Sequence, residues 1–428
     1  MGISIGMVGL GAFAECFVDF FKAHPLVDRI AFCDREIDRA KRWADDPFMK
    51  SKLNPTPVYS SLDEICKSDL DALVIITQPW LHAPQAIQAM NAGKDVYSAV
   101  PIICIPDDDE ILDCIGSIID TSVRTGKHYM LGETTCFRPQ VQFCRRKMEE
   151  GAFGDFVYAE GEYTHDVDNP GCNLRLVRKH RAASEAGKEG NAILEGYFKR
   201  GFRSGPMHYP THSCGGPAFI MDTYATKVTA YGYANRNNDP FFAREAFSNE
   251  FAFFKMANGS TVRIAETRET PGLIGTVDAE MCRVMGTLGT FSENRWFEIG
   301  RPDMEKIRKI DVDEADLTAE KLHYKHYALT NKEMFTPLPK EVEDLFKQAM
   351  NKNASIEELR DTDFKPTGHG GSHPYLVHEF VSSVYEGRQS LVNPWIAARF
   401  MTMGVMAHKS ALKDGETLSV PDWGLPKE

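Results

Sequence analysis

No stretch of the sequence approaches the roughly 20 consecutive apolar residues that a membrane-spanning helix needs. The longest apolar segments, such as 72–77, have strand length, which argues against a membrane partner. Basic residues are not in excess either. Lys and Arg total 49 against 61 Asp and Glu, a formal net charge of −12. Sequence-independent binding of nucleic acid needs a basic footprint, so nucleic acid is not an expected partner. Ten cysteines are present without a C-x-x-C pair. Cys33, Cys104 and Cys114 stand in apolar contexts, the pattern of free thiols in a reducing compartment, and no metal site is legible. No charged segment or cleavage site precedes the first strand, which predicts no signal peptide and a cytoplasmic protein. Internal repeats and low-complexity tracts are also absent.

What remains is globular in composition, 43% hydrophobic and 26% charged, and 428 residues suit two domains. The first third alternates strand and helix. Strands are expected at Ile3 to Val8, Arg29 to Asp34, Val58–Tyr59, Ala72 to Thr77, Asp95 to Ser98 and His128 to Gly132. Helices are expected over Ala12 to Ala23, Glu36 to Ala44, from Ser61, His82 to Ala92 and Asp107 to Thr125. Gly93 and Gly126 close the last two. This rhythm predicts a parallel sheet covered on both faces. Beyond about residue 150 the pattern turns to β. Phe156 to Thr164 alternates as an antiparallel strand does. Further strands are expected at Thr226 to Asn235, Glu250 to Met256 and Thr261 to Glu266, with a hairpin at Asn258-Gly259. The fold class is therefore α/β, with a Rossmann domain over 1–131 and an α/β domain with an open, mostly antiparallel sheet over 132–428. The second domain is expected to bind substrate and to form the oligomer contact. A basic segment, Asn169 to Ser204, and a polar, mostly helical one, Glu305 to Asp363, interrupt that sheet.

Gly9-Leu-Gly11-Ala-Phe-Ala14 follows the first strand and opens the first helix. Two glycines allow a tight turn and a close approach of backbone N–H groups to a pyrophosphate, and Ala14 allows close helix packing. Asp34 ends the second strand, where a carboxylate accepts hydrogen bonds from the adenosine ribose. It favours NAD. Arg35 beside it leaves NADP open, since a guanidinium there can stack on adenine or meet a 2′-phosphate. Thr77, Pro79 and His82 follow the fourth strand, at the mouth of the same crevice, and border the nicotinamide half.

Together, Gly9 to Ala14, Asp34, Thr77-x-Pro79-x-x-His82, Ala92-Gly93-Lys94 and Pro101 resemble the Gfo/Idh/MocA oxidoreductase family. The resemblance implies a Rossmann domain joined to an open-sheet domain, with substrate between them over the nicotinamide. Dehydrogenases of that family carry Glu-Lys-Pro after the fifth strand, and the Lys assists proton transfer. Here the tripeptide is Ala99-Val100-Pro101, and valine moves no proton. The NAD-dependent glycosidase branch, typified by α-N-acetylgalactosaminidases, also lacks the Lys. Its Tyr-Pro-Thr-His segment is matched by Tyr209 to His212, its Glu by Glu133, and its Glu-Gly-x-Tyr-x-His-Asp stretch by Glu160 to Asp166. The intervals from Glu133 to Tyr163 and from Tyr163 to His212 agree with the branch as well. Gly368 to His373 looks like its His-Gly-Gly segment. After His212 the wording departs from the branch, so the substrate does not carry over.

The chemistry this implies starts with hydride removal from C3 of a sugar. The resulting ketone makes the C2 proton acidic, the group on C1 leaves by elimination, water adds, and the hydride returns. His212 suits the first base because its unperturbed pKa lies near neutrality. Tyr209, three residues earlier, faces the same side if the segment is helical. Tyr163 is the candidate for proton work at C2 or the leaving group. Glu133, His165 and His373 are candidates for holding the substrate, with His369 beside them closing the pocket. The basic run Arg175, Arg178, Lys179, His180 and Arg181 reads as a solvated face or as a contact to an acidic sugar. Two other readings stand beside this one: a plain sugar or polyol dehydrogenase that uses His212 in place of Lys, and a NAD-binding sensor without catalysis. The expected partners are a small-molecule sugar or glycoside and further copies of the chain.

Overall fold

The computed structural model describes residues 2–170, 173–272, 282–300, 318–321 and 323–426. Six parallel strands make the first sheet: β1 Ile3–Val8, β2 Val27–Cys33, β3 Leu53–Tyr59, β4 Ala72–Ile75, β5 Asp95–Ser98 and β6 Tyr129–Leu131. Their spatial order is β3-β2-β1-β4-β5-β6. Every residue of β1, β4, β5 and β6 is buried, as the continuous apolar runs require of strands covered on both faces. The order reverses between β1 and β4, which opens a crevice at the carboxyl ends of these strands. Helix Asp108–Thr125 starts where the Asp107 carboxylate accepts the N–H groups of Asp109 and Glu110, and it stops at Gly126 with φ 68°.

The helix expected over Ala12 to Ala23 is divided. A 3₁₀ turn covers Ala14–Cys16 and an α-helix covers Val18–Ala23. The break falls at Phe17, which takes φ −120° while its buried ring packs on His373, 4.3 Å between centroids.

The second sheet has nine strands: β7 Phe156–Thr164, β8 Ala225–Tyr233, β9 Asn249–Met256, β10 Thr261–Thr267, β11 Cys282–Gly286, β12 Gly289–Ser292, β13 Arg295–Glu298, β14 Lys325–Ala328 and β15 Leu418–Ser419. Their order is β14-β13-β12-β11-β7-β10-β9-β8-β15. Asn258-Gly259 makes the β9–β10 hairpin, with Gly259 at φ 90°. Strand β7 is antiparallel to β11 but parallel to β10. Alternation in β7 reports one buried face and carries nothing about the direction of a neighbour, so the mixed pairing was not readable from it.

Helix Thr211–Met221 lies on β7, and all of its residues are buried. It sits close because position 161 is glycine: a Cβ there would come 2.0 Å from the carbonyl oxygen of Ser213. The opposite face of the sheet exposes Tyr231, Tyr233, Phe251 and Phe253.

The chain then returns to the first sheet. Helix His373–Glu386 sets Phe380 against Phe21 and Tyr97, and the N–H of Leu131 in β6 donates to the carbonyl of Val392. Helix Pro394–Leu412 packs against both Asp108–Thr125 and β8. The segment Asn169 to Ser204 forms two helices, Leu174–Ala183 and Glu185–Lys199. In the other interruption, residues 305–317 and 322 lie outside the described residues, and the rest holds β14 and helices Asn331–Met334, Lys340–Met350 and Ile356–Leu359. Among the described residues, no helix is long and apolar enough to cross a membrane.

Candidate active site

The crevice at the β1/β4 switch is built for a dinucleotide. Gly9 takes φ 86°, and a Cβ there would meet the Ile76 carbonyl oxygen at 2.6 Å. A Cβ at Gly11 would meet nothing within 4 Å, so its backbone faces open space. Ala14 is fully buried beneath. The Asp34 carboxylate closes the turn by accepting the N–H of Leu10 and that of Glu36, each at 2.8 Å. These residues fit a dinucleotide: open backbone where a pyrophosphate approaches and an acid at the ribose end. Arg35 turns away to Glu189, Nη1 to Oε2 2.7 Å. The Thr77 hydroxyl donates to Gln85 at 2.5 Å, and the carbonyl of Pro79 accepts the N–H of Cys104. His82 is buried, with Nδ1 2.9 Å from the Pro101 carbonyl and Nε2 3.3 Å from that of Thr77. It ties the loops after β4 and β5 together, and burial lowers its pKa.

Beside the crevice, His212, the second residue of Thr211–Met221, meets Glu133. Nδ1 lies 2.8 Å from Oε1, and both side chains are almost wholly buried. Glu133 caps the 3₁₀ turn Thr134–Phe137 and accepts the N–H of Thr135 at 2.8 Å. Gly215 lets the helix approach it, since a Cβ would stand 3.1 Å from the Glu133 Cγ. Burial alone would raise the Glu133 pKa. The His212 ring, the Thr211 hydroxyl and the Thr135 N–H outweigh it and hold the carboxyl down to about 2.

Two tyrosines flank the histidine. The Tyr163 ring is 4.7 Å from His212, and its hydroxyl bonds Nδ1 of His165 at 2.7 Å. The Tyr209 ring is 5.5 Å from His212, and its hydroxyl donates to the Val100 carbonyl at 3.4 Å. Tyr209 reaches this place from outside the helix, because Pro210 occupies the N-cap and Tyr209 takes φ −129°. Burial raises the Tyr209 pKa, and Glu133 adds to it.

The turn that carries Tyr209 is clamped to both domains. His208 Nε2 lies 2.8 Å from Asp108 of the first domain, and the N–H of Met207 donates to Glu250 of β9 at 2.8 Å. Below it, His408 and Glu250 form a fully buried pair at 2.8 Å. Asp108, His208 and His408 gather their ligand-type atoms within 4.8 Å, with His208 bonded to Asp108 and His408 to Glu250 and the Arg203 carbonyl.

His373 and His369 come in from the C-terminal side. His369 Nδ1 lies 2.9 Å from His373 Nε2. The His369 ring faces that of His212 at 6.2 Å and packs edge-on to Phe13 of the glycine turn at 5.8 Å. Burial pushes His369 down to about 3 and His373 to about 4, so both rings are neutral. The histidine pair thus spans from the dinucleotide turn to the His212 cluster.

Two members of the site were not singled out in the sequence. Glu266 is fully buried, receives the Ser213 hydroxyl and the Arg268 guanidinium (2.9 Å), and burial pushes it up to about 7. Arg268 lies over the Tyr163 ring at 4.9 Å. The signal was present: Glu266 stands in phase with buried Val262 and Ile264, on the core face of its strand. Of the basic run, Arg175 pairs with Asp168 and Asp239, and Arg178 stacks on Phe241 at 3.6 Å while bonding its carbonyl.

Residues 3–112 match the model of the Gfo/Idh/MocA oxidoreductases, described as an oxidoreductase family with a NAD-binding Rossmann fold. A glycosyl hydrolase family 109 protein of Streptomyces filamentosus is 31% identical over 172 residues, 39% of this chain and 33% of that protein. The chain spans about a third of the length of the first curated relatives it matches. An alpha-N-acetylgalactosaminidase of Tannerella forsythia is 22% identical over 371 residues, 82% of this chain and 70% of that one. Among solved structures, a levoglucosan dehydrogenase in complex with NADH and levoglucosan has the same fold. Its TM-score is 0.66 at 16% identity, over 99% of this chain and 100% of its own.

Proposed function

We propose that this chain, whose residues 3–112 match the NAD-binding Rossmann fold of the Gfo/Idh/MocA oxidoreductases, is a NAD-dependent enzyme that cleaves a glycoside without net redox change. The observation that carries this reading is the buried His212–Glu133 pair set between Tyr163 and Tyr209, with Val100 where a proton-transferring Lys would stand. The names of the family 109 relative and of the alpha-N-acetylgalactosaminidase support it.

NAD⁺, when bound, would supply the hydride acceptor for C3 of the sugar and the donor that restores it. Gly9, Gly11, Ala14 and Asp34 would hold its adenosine and pyrophosphate half, and the loops of Thr77, Pro79 and His82 would border its nicotinamide half. His212 takes the C3 hydroxyl proton on Nε2 while Glu133 holds Nδ1 and balances the imidazolium charge. Glu133 is assigned to this positioning work. Tyr209 orients the hydroxyl. Tyr163, bonded to His165, moves the C2 proton, which lets the C1 group leave with the bond electrons. Water then adds across the C1–C2 double bond, its hydroxyl to C1 and a proton back to C2. His373, through His369, closes the pocket against the glycine turn.

A second copy of the chain is the expected partner for the open sheet face, where Phe251, Phe253, Tyr231 and Tyr233 are exposed. A cytoplasmic location is supported by the cysteines, which are free thiols throughout the described residues.

The test is a panel of p-nitrophenyl glycosides and free sugars, with nitrophenol and reduced cofactor followed together. Nitrophenol release without accumulation of reduced cofactor is expected. Accumulation of reduced cofactor without nitrophenol would overturn the cleavage reading in favour of a dehydrogenase with His212 as its base. Neither signal on any compound would leave only a binding protein.

A further inference from the structure

Next to the ribose-binding Asp34 stands Arg35, and an arginine there is ordinarily the receiver for the 2′-phosphate of NADP. In this fold it is occupied. Glu189, from the second helix of the 169–204 segment, reaches across to it, Oε2 to Nη1 2.7 Å. The contact is not that of a wandering side chain. Helix Glu185–Lys199 is seated on the first domain by Gly190, where a Cβ would come 2.2 Å from the Trp80 indole, and by the Tyr197 hydroxyl, 2.8 Å from Glu110. The next arginine is occupied too: Arg39 lies 2.9 Å from Glu36 and 4.0 Å from Asp34. At the adenosine end, therefore, Arg35 and Arg39 both already face carboxylates, and Glu189 is held at the residue that follows Asp34.

We propose that Glu189 is the residue that sets cofactor preference, excluding NADP by occupying Arg35 and presenting a carboxylate where the 2′-phosphate would come. A phosphate monoester brings nearly two negative charges. With Glu189 in place it gains no arginine and meets two acids, whereas the free 2′-hydroxyl of NAD donates to Asp34 and is indifferent to Glu189. The Arg35 and Glu189 side chains are 57% and 50% exposed. A pair this exposed adds little to stability, so it can be altered without loss of the fold.

The experiment measures the dissociation constants of NAD⁺ and NADP⁺ on the full chain by quenching of tryptophan fluorescence, which needs no turnover. It rests on the dinucleotide site alone and is independent of the reaction proposed above. The wild type is expected to prefer NAD⁺. Glu189→Ala is expected to strengthen NADP⁺ binding about tenfold while NAD⁺ stays within about twofold, the scale of one charge contact near a surface. Adding Arg35→Ala to Glu189→Ala is expected to cancel the gain. A wild type that binds both cofactors equally, an unchanged ratio in Glu189→Ala, or a gain that survives in the double variant would each overturn the proposal.

Discussion

His212 and Glu133 share one buried hydrogen bond of 2.8 Å, Nδ1 to Oε1, although 79 residues separate them in the chain. The carboxylate lies just after β6, the last strand of the first sheet, and the imidazole in the first turn of a helix packed on the second sheet. Glu133→Gln keeps the shape and removes the charge that balances a protonated ring. It is expected to slow cofactor reduction in single-turnover mixing about 100-fold, with NAD⁺ affinity unchanged. His212→Ala should cost at least as much. Equal rates in wild type and Glu133→Gln would remove Glu133 from the base.

Tyr163 separates two halves of the proposed chemistry. Its hydroxyl is bonded to Nδ1 of His165 at 2.7 Å, while its ring lies 4.7 Å from that of His212. Tyr163→Phe is expected to retain the initial cofactor reduction while lowering deuterium incorporation at C2 in heavy water about 100-fold. Loss of both signals in parallel would mean that Tyr163 serves the first step as well.

Two glycines in one turn should respond differently. Gly9→Ala forces a side chain into φ 86° and against the Ile76 carbonyl, so both stability and NAD⁺ binding should fall, stability by about 1–3 kcal/mol. Gly11→Ala adds a methyl in open space. Its melting temperature should match wild type while NAD⁺ affinity drops at least about tenfold, because the methyl stands where the pyrophosphate approaches. Calorimetric melts and titrations on the two variants decide this.

The His408–Glu250 pair predicts how stability depends on pH. Burial would lower the His408 pKa, but Glu250 outweighs it and raises it to about 9 against an ordinary 6.5. The folded state therefore holds this proton more tightly than the unfolded chain. The stabilisation is complete below about pH 6.5 and is lost as pH rises through 9, about 3 kcal/mol in all. Urea midpoints taken from pH 6 to 10 should fall in wild type. In Glu250→Gln they should start lower and change little over the same range.

Much of the fold lay open in the sequence because its signals are local. The glycine turn, Asp34 and the strand–helix rhythm each need only a few neighbouring residues. What escaped depends on distance. Arg35 could not be assigned until Glu189 was placed beside it. Glu133 was readable as an acid near the crevice, but not as the partner of His212. Helical spacing put Tyr209 on the same face as His212, yet Pro210 at the N-cap sets Tyr209 outside the helix, and the two rings meet by another route. Glu266 and Glu250 were visible as acids in the inward phase of two strands, and only their partners Arg268 and His408 explain how such positions tolerate a carboxyl.

The return of the chain to the first sheet bears on the order in which the molecule is made. A ribosome releases β1 to β6 first, yet the surfaces that Phe380 and Val392 cover stay bare until residues 373–392 emerge. Strand β7 likewise waits about 100 residues for β10, its parallel neighbour. Nascent chains should therefore expose apolar surface until those residues are made and call on chaperones until a near-simultaneous closure of both sheets. Truncation ahead of His373 would leave the first domain, though whole in strands, without the cover that lets it stand alone.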